Sequence, residues 1–472
     1  MEEFALALLT DAQTTPQTAP QTTRRLTGGQ IAAEYLTRAG VPYLVGIPGH
    51  GIMAFLDAFH DYKDKIKILM PRHEQSAVHF ADGYYRVSGR PLAVYTSIGP
   101  GALNTAIGLG TAYVDGCPVL VFTGDAHTYM AGKGVLQEID RGQDANFARV
   151  MEPLTKRVWK PSRPDQLPAI MQRAFAEMMT GRRGPVLIDL PMDVQAEDAM
   201  VAIPEPEQYG QPRRVYPDAD PVARAAAMLV NSERPVILAG GGILHAEAWA
   251  ELRQVAELTG AAVIATMNAK GVFPENKHPL SAMSGGAKGT EVGNHMARTA
   301  DVVLAVGTRF ADETASSYRK GATYNFPETK LIHIDIDPTQ IGKNYPTDIG
   351  VVADAKTGLE ALIGAIRELR PDYDWQNAPY TREICERREA WFASMADRQA
   401  DTDPVTISRF LKELRGAVAD DAIIAHSSGN VQAAIISEFP FYEPRTNLTT
   451  GGFSTLGWAY PAALGAKVAK PE

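Results

Sequence analysis

The chain has 472 residues, of which 45% are hydrophobic and 21% charged, with a formal net charge of −9. That length exceeds one ordinary core and divides into about three units of usual domain size, and the composition is that of a globular protein. The negative charge, spread along the chain, argues against nucleic acid, which needs a concentrated basic face, no apolar run reaches the roughly 20 residues that span a bilayer, and two cysteines, Cys117 and Cys385, give neither a disulfide framework nor a metal cluster.

Such sparse cysteine usage points to a reducing compartment, expected to be the cytoplasm. Residues 1–27 open Met-Glu-Glu, are rich in Thr, Gln and Pro, and lack the basic start of a signal peptide. They are read as a disordered N-terminal extension. From Gly28 onward, short apolar, β-branched runs at 43–47, 67–70, 92–96, 119–123 and 186–190 are each bounded by Gly, Pro or Asp. Between them lie helical patterns such as 74–87, where Ala77, Phe80, Ala81 and Tyr84 recur at helical spacing. Continuously apolar strands alternating with helices imply a parallel sheet covered on both faces.

This first unit is assigned 28–200. Residues 201–221 turn Pro-rich and charged, and read as a linker. The pattern restarts at 235–239, 262–266, 302–306, 331–336 and 351–353, giving a second doubly wound unit over 222–366. A polar, helical stretch rich in Arg, Glu and Asp, 367–405, reads as a second linker. The third unit, 406–472, begins with a strand at 422–426 and is too short to complete a domain like the first two. The expected fold is α/β, three doubly wound parallel-sheet domains with the third incomplete.

Several positions carry chemistry. Glu74, in Arg72-His73-Glu74-Gln75, stands where a strand gives way to a helix; alone it is also explained as a first-turn carboxylate favoured by the helix dipole, worth about 0.3–1 kcal/mol. The segment Ser97-Ile98-Gly99-Pro100-Gly101-Ala102-Leu103-Asn104 again follows a strand and opens a helix, where free N–H groups and glycines suit an anion or a tight turn equally. Gly134-Val135-Leu136-Gln137-Glu138 is a weaker signal, equally a solvated loop. Gly240, Gly241 and Gly242 follow a strand as a dinucleotide-binding turn does, while Asp335 and Asp337 end a later strand, placed either to hold a ribose hydroxyl or to cap the next helix. In the third unit, Ser428-Gly429-Asn430 ends a strand and a glycine-rich stretch from Thr450 to Gly457 precedes an apolar helix.

In order and spacing these features resemble the acetohydroxyacid synthase branch of the thiamine-diphosphate enzymes, over residues 28–472. The matching segments are 72–75, 99–104, Gln137-Glu138, Thr155-Lys156, 307–310 and 451–460. The resemblance implies an N-terminal pyrimidine-binding domain, a central domain that takes FAD or ADP, and a C-terminal diphosphate-binding domain. It also implies that each thiamine site forms between two subunits, so that a homodimer is the smallest active unit, with a tetramer as the larger form and any regulatory subunit left open.

Carried over residue by residue, Glu74 would hydrogen-bond the aminopyrimidine ring and make its nitrogen basic enough to take the thiazolium proton. Gln137 would bond the substrate oxygen, and Lys156 would stand near the substrate channel. Gly99, Asn104 and Gly429 would line the cofactor cleft. The backbone carbonyl of Ser454 would accept from the 4′-amino group, and Leu456 would wedge between the two rings; the family usually has Gly and Met at these places, and Phe where Leu136 stands. His50 and His73 lie within reach of the cleft. Gly240, Gly241, Gly242, Arg309, Asp335 and Asp354 fit the family's nucleotide groove. Against FAD, Glu152 stands where flavin-binding members have Arg, and Gly286-Ala287 replaces a Met-His pair; an anion beside a pyrophosphate is repulsive. The family's Gly-Asp-Gly…Asn segment, which holds magnesium and the diphosphate, is expected just after Glu472. This chain therefore offers no metal ligand and is expected to bind thiamine diphosphate poorly.

The implied activity is decarboxylation of a 2-oxoacid such as pyruvate and ligation of the remaining carbons to a second carbonyl compound, a step of branched-chain amino acid biosynthesis. Two other readings stay open: a lyase or decarboxylase of acyl-CoA compounds of the oxalyl-CoA decarboxylase type, with ADP in the middle domain, and a non-catalytic remnant. The donor and the acceptor are not legible.

Overall fold

The computed structural model describes residues 22–139, 147–209 and 214–472. Of the expected N-terminal extension, residues 1–21 lie outside the described residues. Its last four do not belong to a lead-in: Arg24–Thr27 form strand β1, which pairs antiparallel with β8 (Asp198–Val201) and closes the first unit on itself. Thr27 then caps the following helix in a capping box with Gln30.

The first unit holds a six-stranded, all-parallel sheet. Its strands are β2 (Tyr43–Gly46), β3 (Lys67–Leu69), β4 (Ala93–Thr96), β5 (Leu120–Asp125), β6 (Arg157–Trp159) and β7 (Val186–Pro191), in the order β3-β2-β4-β5-β7-β6. The central strands β4, β5 and β7 are buried along their whole length, as continuous apolar runs demand. The second unit repeats the plan with β9 (Pro235–Ala239), β10 (Ala262–Ala265), β11 (Ser281–Ser284), β12 (Val302–Val306), β13 (Lys330–Asp335) and β14 (Ile349–Val352). Here the order is β11-β10-β9-β12-β13-β14, so the winding reverses between β9 and β12. Ligands of open α/β sheets bind in the crevice at such a reversal. The third unit is short: a parallel pair, β15 (Ile424–His426) and β16 (Asn447–Thr449), with three helices.

The stretch 367–405 is helical, but it is not a free linker. Helix Pro379–Ala393 buries Ile384 in the core of the central unit, and the Arg388 guanidinium donates to the carbonyls of His278 and Ser281, both at 2.8 Å. No helix among the described residues is long and apolar enough to cross a membrane.

The third unit is fastened at two places. Fully buried Lys270 pairs with Glu275 at 2.7 Å and donates to the Ile436 carbonyl at 2.9 Å, while Glu275 accepts from the Phe441 N–H at 3.0 Å. Helix Ala459–Ala469 packs on helix Glu74–Ser88 of the first unit. There, a β-carbon on Gly83 would lie 2.1 Å from the Ala462 carbonyl, and one on Gly465 would lie 2.0 Å from the Phe80 carbonyl. The Trp458 indole donates to buried Asp82 at 2.7 Å. Burial opposes charge on Asp82, but Arg86 beside it outweighs burial and holds the carboxyl below its ordinary range.

Candidate active site

Strand β3 leads through His73, in extended backbone, into helix Glu74–Ser88. The exposed His73 ring caps that helix, accepting from the Gln75 N–H at 3.1 Å. Glu74 is buried at the first helical position, where its charge suits the helix dipole. Asn104 donates to one carboxylate oxygen at 3.0 Å, and the other oxygen lies 3.1 Å from where a β-carbon on Gly101 would sit. The glycine keeps open the approach to that second oxygen.

Gly99 adopts φ 57° and ψ −110°, and a β-carbon there would lie 1.8 Å from the Gln137 carbonyl. Gln137 itself has φ 67°. The structure thus brings Glu74, Gly99, Asn104 and Gln137 together on one rim of the first unit. The side chains of Gln137 and Leu136 are exposed there, and the exposed His50 follows Gly49, whose β-carbon would touch Ser97 on the same rim.

Lys156 does not join them. Its ammonium donates to the carbonyls of Glu177 and Thr180, the latter at 2.8 Å, and so caps the end of helix Leu167–Met179. Burial lowers its pKa, and Glu177 works against that shift.

The second cluster sits in the third unit. Gly429 is exposed, with φ 128° and open space around it, at the start of helix Asn430–Glu438. Ser454 has φ 53°, in the left-handed region, and its N–H donates to the Thr450 carbonyl at 2.9 Å. A glycine adopts that backbone at no cost, whereas serine pays about 1–2 kcal/mol. Leu456 is 72% exposed. Thr455 bonds Thr111 at 2.7 Å, seating the turn on helix Ala106–Asp115.

Within one chain the two clusters do not meet. Trp458 meets Asp82, Ala462 meets Gly83 and Gly465 meets Phe80, so the two helices run antiparallel. Asp82 is already eight residues, about 12 Å, along its helix from Glu74, and Leu456 precedes Trp458, the residue that meets Asp82.

A third feature is a cavity of about 540 Å³ at the reversal of the central sheet, walled by all three units. Gly240 and Gly242 are glycine because the neighbouring turn leaves no room: their β-carbons would lie 2.1 Å from the Gly307 carbonyl and 2.6 Å from its α-carbon. Gly241 instead faces the cavity. Arg309 and Arg182 both donate to the Val114 carbonyl, at 2.7 and 2.9 Å, and Arg183 donates to the Tyr85 hydroxyl at 2.8 Å. Among the described residues none of these three guanidiniums has a carboxylate at ion-pair distance. Burial, followed by repulsion from Arg182, lowers the pKa of Arg309.

Asp335 lines the cavity, its pKa pushed up to about 6, chiefly by burial. Asp337 instead caps the turn Pro338–Gln340, resolving the choice left open by the sequence. Asp354 caps helix Ala355–Leu369 and pairs with Arg214 at 2.6 Å. Glu152 is exposed and is not among the residues lining the cavity, so the expected repulsion of a pyrophosphate finds no counterpart there. Gly285 and Lys288 line it, while Gly286, at φ 98°, is bonded to Asn294. A glycine-lined crevice with uncompensated guanidiniums fits the diphosphate of a nucleotide.

Sequence reading missed Asp115, Arg182, Arg183 and His245. For Asp115 a signal existed. A carboxylate in the last turn of a helix opposes the dipole, which asks for a compensating partner. That partner is Arg86, at 2.9 Å.

Three family descriptions match the chain in order. Thiamine pyrophosphate enzyme, N-terminal TPP binding domain, covers residues 26–144, the central domain 222–362, and the C-terminal TPP binding domain 427–472. The fold is thus that of a thiamine-diphosphate enzyme. The chain is 37% identical over 461 residues to the probable acetolactate synthase large subunit of Methanocaldococcus jannaschii, covering 94% of this chain and 74% of that one. It is 33% identical over 450 residues to the acetolactate synthase of Mycobacterium bovis, covering 95% and 70%. With the acetolactate synthase isozyme 3 large subunit of Escherichia coli it shares 30% over 452 residues, covering 95% and 76%. The chain belongs to the acetolactate synthase-like family of thiamine-diphosphate-dependent enzymes.

Proposed function

We propose that this enzyme decarboxylates a 2-oxoacid and ligates the remaining carbons to a second carbonyl compound. The observation that carries the reading is Glu74: buried, with one oxygen fixed by Asn104 and the other kept accessible by Gly101. Thiamine diphosphate, when bound, supplies the carbon that adds to the substrate carbonyl and the electron sink that lets carbon dioxide leave. Glu74 holds a hydrogen bond on the pyrimidine side and tunes the basicity of that ring. Gln137 presents an amide to the substrate oxygen from the same rim. Lys156, which caps a helix beside the cavity wall, acts through the placement of that wall.

Ser454 and Leu456 serve a site completed by a second copy. Their separation from Glu74 within one chain, and the exposure of Leu456, support the homodimer as the active unit. Among the described residues no group of three or more His, Cys, Asp or Glu could hold the magnesium that accompanies the diphosphate in this family. The cavity takes FAD or ADP, with its diphosphate against Arg182, Arg183 and Arg309. The "large subunit" in the relatives' names supports a smaller regulatory partner, and their acetolactate synthase activity supports a place in branched-chain amino acid biosynthesis.

The test is release of carbon dioxide from pyruvate and its homologues with thiamine diphosphate and magnesium present. Glu74→Gln is expected to lower turnover by a hundredfold or more. Intact turnover in that variant, or no release from any 2-oxoacid by protein shown to hold the cofactor, removes the reading.

A further inference from the structure

We propose that Asp115 is the positioning residue that sets the turn 451–456 against the first unit, and through it Ser454 and Leu456. The inference rests on the reading above that these two residues meet the cofactor. The Asp115 side chain is 1% exposed and stands in the last turn of helix Ala106–Asp115. One oxygen accepts from Arg86 at 2.9 Å. The other accepts from the Asn268 amide at 3.1 Å and from the Gly452 N–H at 3.0 Å.

The three donors come from three different places: the helix that begins with Glu74, the central unit and the third unit. One carboxylate is therefore the joint at which all three are registered. Steric fit acts with it. A β-carbon on Gly451 would lie 2.2 Å from the Asn268 amide, and one on Gly452 would lie 2.2 Å from the Arg309 guanidinium. The turn is pressed between those side chains and fastened by Asp115 from the third direction. Beyond it, the Ser454 N–H closes back on the Thr450 carbonyl at 2.9 Å, so the turn moves as one piece. A shift at Gly452 is carried to Ser454 and Leu456, and a cofactor-binding group displaced by about 1 Å loses much of its effect.

The test compares Asp115→Ala and Asp115→Asn in the full chain by amide hydrogen exchange and by the dependence of activity on thiamine diphosphate. In Asp115→Ala, exchange over residues 450–457 is expected to rise at least tenfold while β4 and β5 keep their protection. The KM for thiamine diphosphate is expected to rise tenfold or more, with kcat at saturation within threefold. Asp115→Asn retains an oxygen that accepts from Gly452 and is expected to keep the turn protected. If Asp115→Ala does not accumulate as folded protein, Asn268→Ala, which leaves the bonds of Asp115 to Arg86 and to Gly452 intact, is expected to keep the turn protected, and a tenfold loosening there would assign the turn to Asn268 and overturn the proposal.

Unchanged exchange at 450–457, acceleration spread evenly over every strand, or a KM that stays put while the turn loosens would each overturn the proposal. Should the unaltered chain bind the cofactor as poorly as its sequence leads one to expect, the exchange arm alone decides whether Asp115 holds the turn.

Discussion

The carbonyl oxygen of Ala462 lies 2.1 Å from the point where a β-carbon on Gly83 would stand. No side chain fits at that crossing point, and the contact fixes the direction in which the third unit leaves the first. Gly83→Ala is expected to destabilise the chain by about 1–3 kcal/mol, the usual cost of overpacking, even after the gain in helix propensity. Urea unfolding reads this directly; an unchanged midpoint would mean that the helices part more easily than their packing implies.

The antiparallel pairing that follows from this contact separates Glu74 from Leu456 in one chain and predicts complementation. Glu74→Gln and Leu456→Gly chains, each nearly inactive alone, are expected to regain about a quarter of the unaltered activity after mixing and exchange. Half of the randomly paired dimers are hybrids, and each hybrid has one intact site of two. No recovery after demonstrated subunit exchange would place both groups in a single chain.

Acid sensitivity follows from three histidines. Burial lowers His79 and His426 to about 4 and His245 to about 3. The unfolded chain takes up these protons near pH 6.5, the folded chain only near 3–4. The stability they contribute is thus complete above pH 6.5 and lost as pH falls towards 4. At pH 5 each accounts for about 2 kcal/mol. His245→Gln is expected to remove about that much of the difference in unfolding free energy between pH 8 and pH 5. An identical difference in the variant would show that His245 protonates freely in the fold.

The buried Lys270–Glu275 pair yields a prediction about order of replacement. Lys270→Met alone strands the Glu275 carboxylate and is expected to cost about 3–5 kcal/mol, whereas Lys270→Met with Glu275→Leu costs much less. Denaturant midpoints of the two variants, compared with the parent, check this. Equal losses would assign the effect to packing and not to charge.

What was legible in the sequence follows physical lines. Strands β4, β5, β9 and β12 announce themselves because a strand covered on both faces must be apolar throughout. Strand β11 does not, because Ser281 and Ser284 are buried with polar side chains at the sheet edge. Strand β6 has three residues, and β1 depends on a partner more than 170 residues away. Glu74, Gly99, Asn104 and Gln137 are legible only through the resemblance of their segments, in order, to the family; each segment alone reads equally as a cap, a turn or a loop. Lys156 was found as a residue, but its contacts are backbone carbonyls of a later helix, which no local pattern records. Arg182 and Arg183 bond within the first unit and matter only through a cavity shared by all three, whereas Asp115 bonds across the units; the misplaced charge of Asp115 is the one clue in the sequence.

Because all three units wall the crevice of the central sheet, whatever occupies it becomes a keystone. Its affinity is added to the cohesion of the whole chain: at a hundredfold excess over its dissociation constant, an occupant contributes about 2.7 kcal/mol against unfolding. Protease resistance across the connection at 201–221 would then report how much of the population is loaded, quite apart from any turnover.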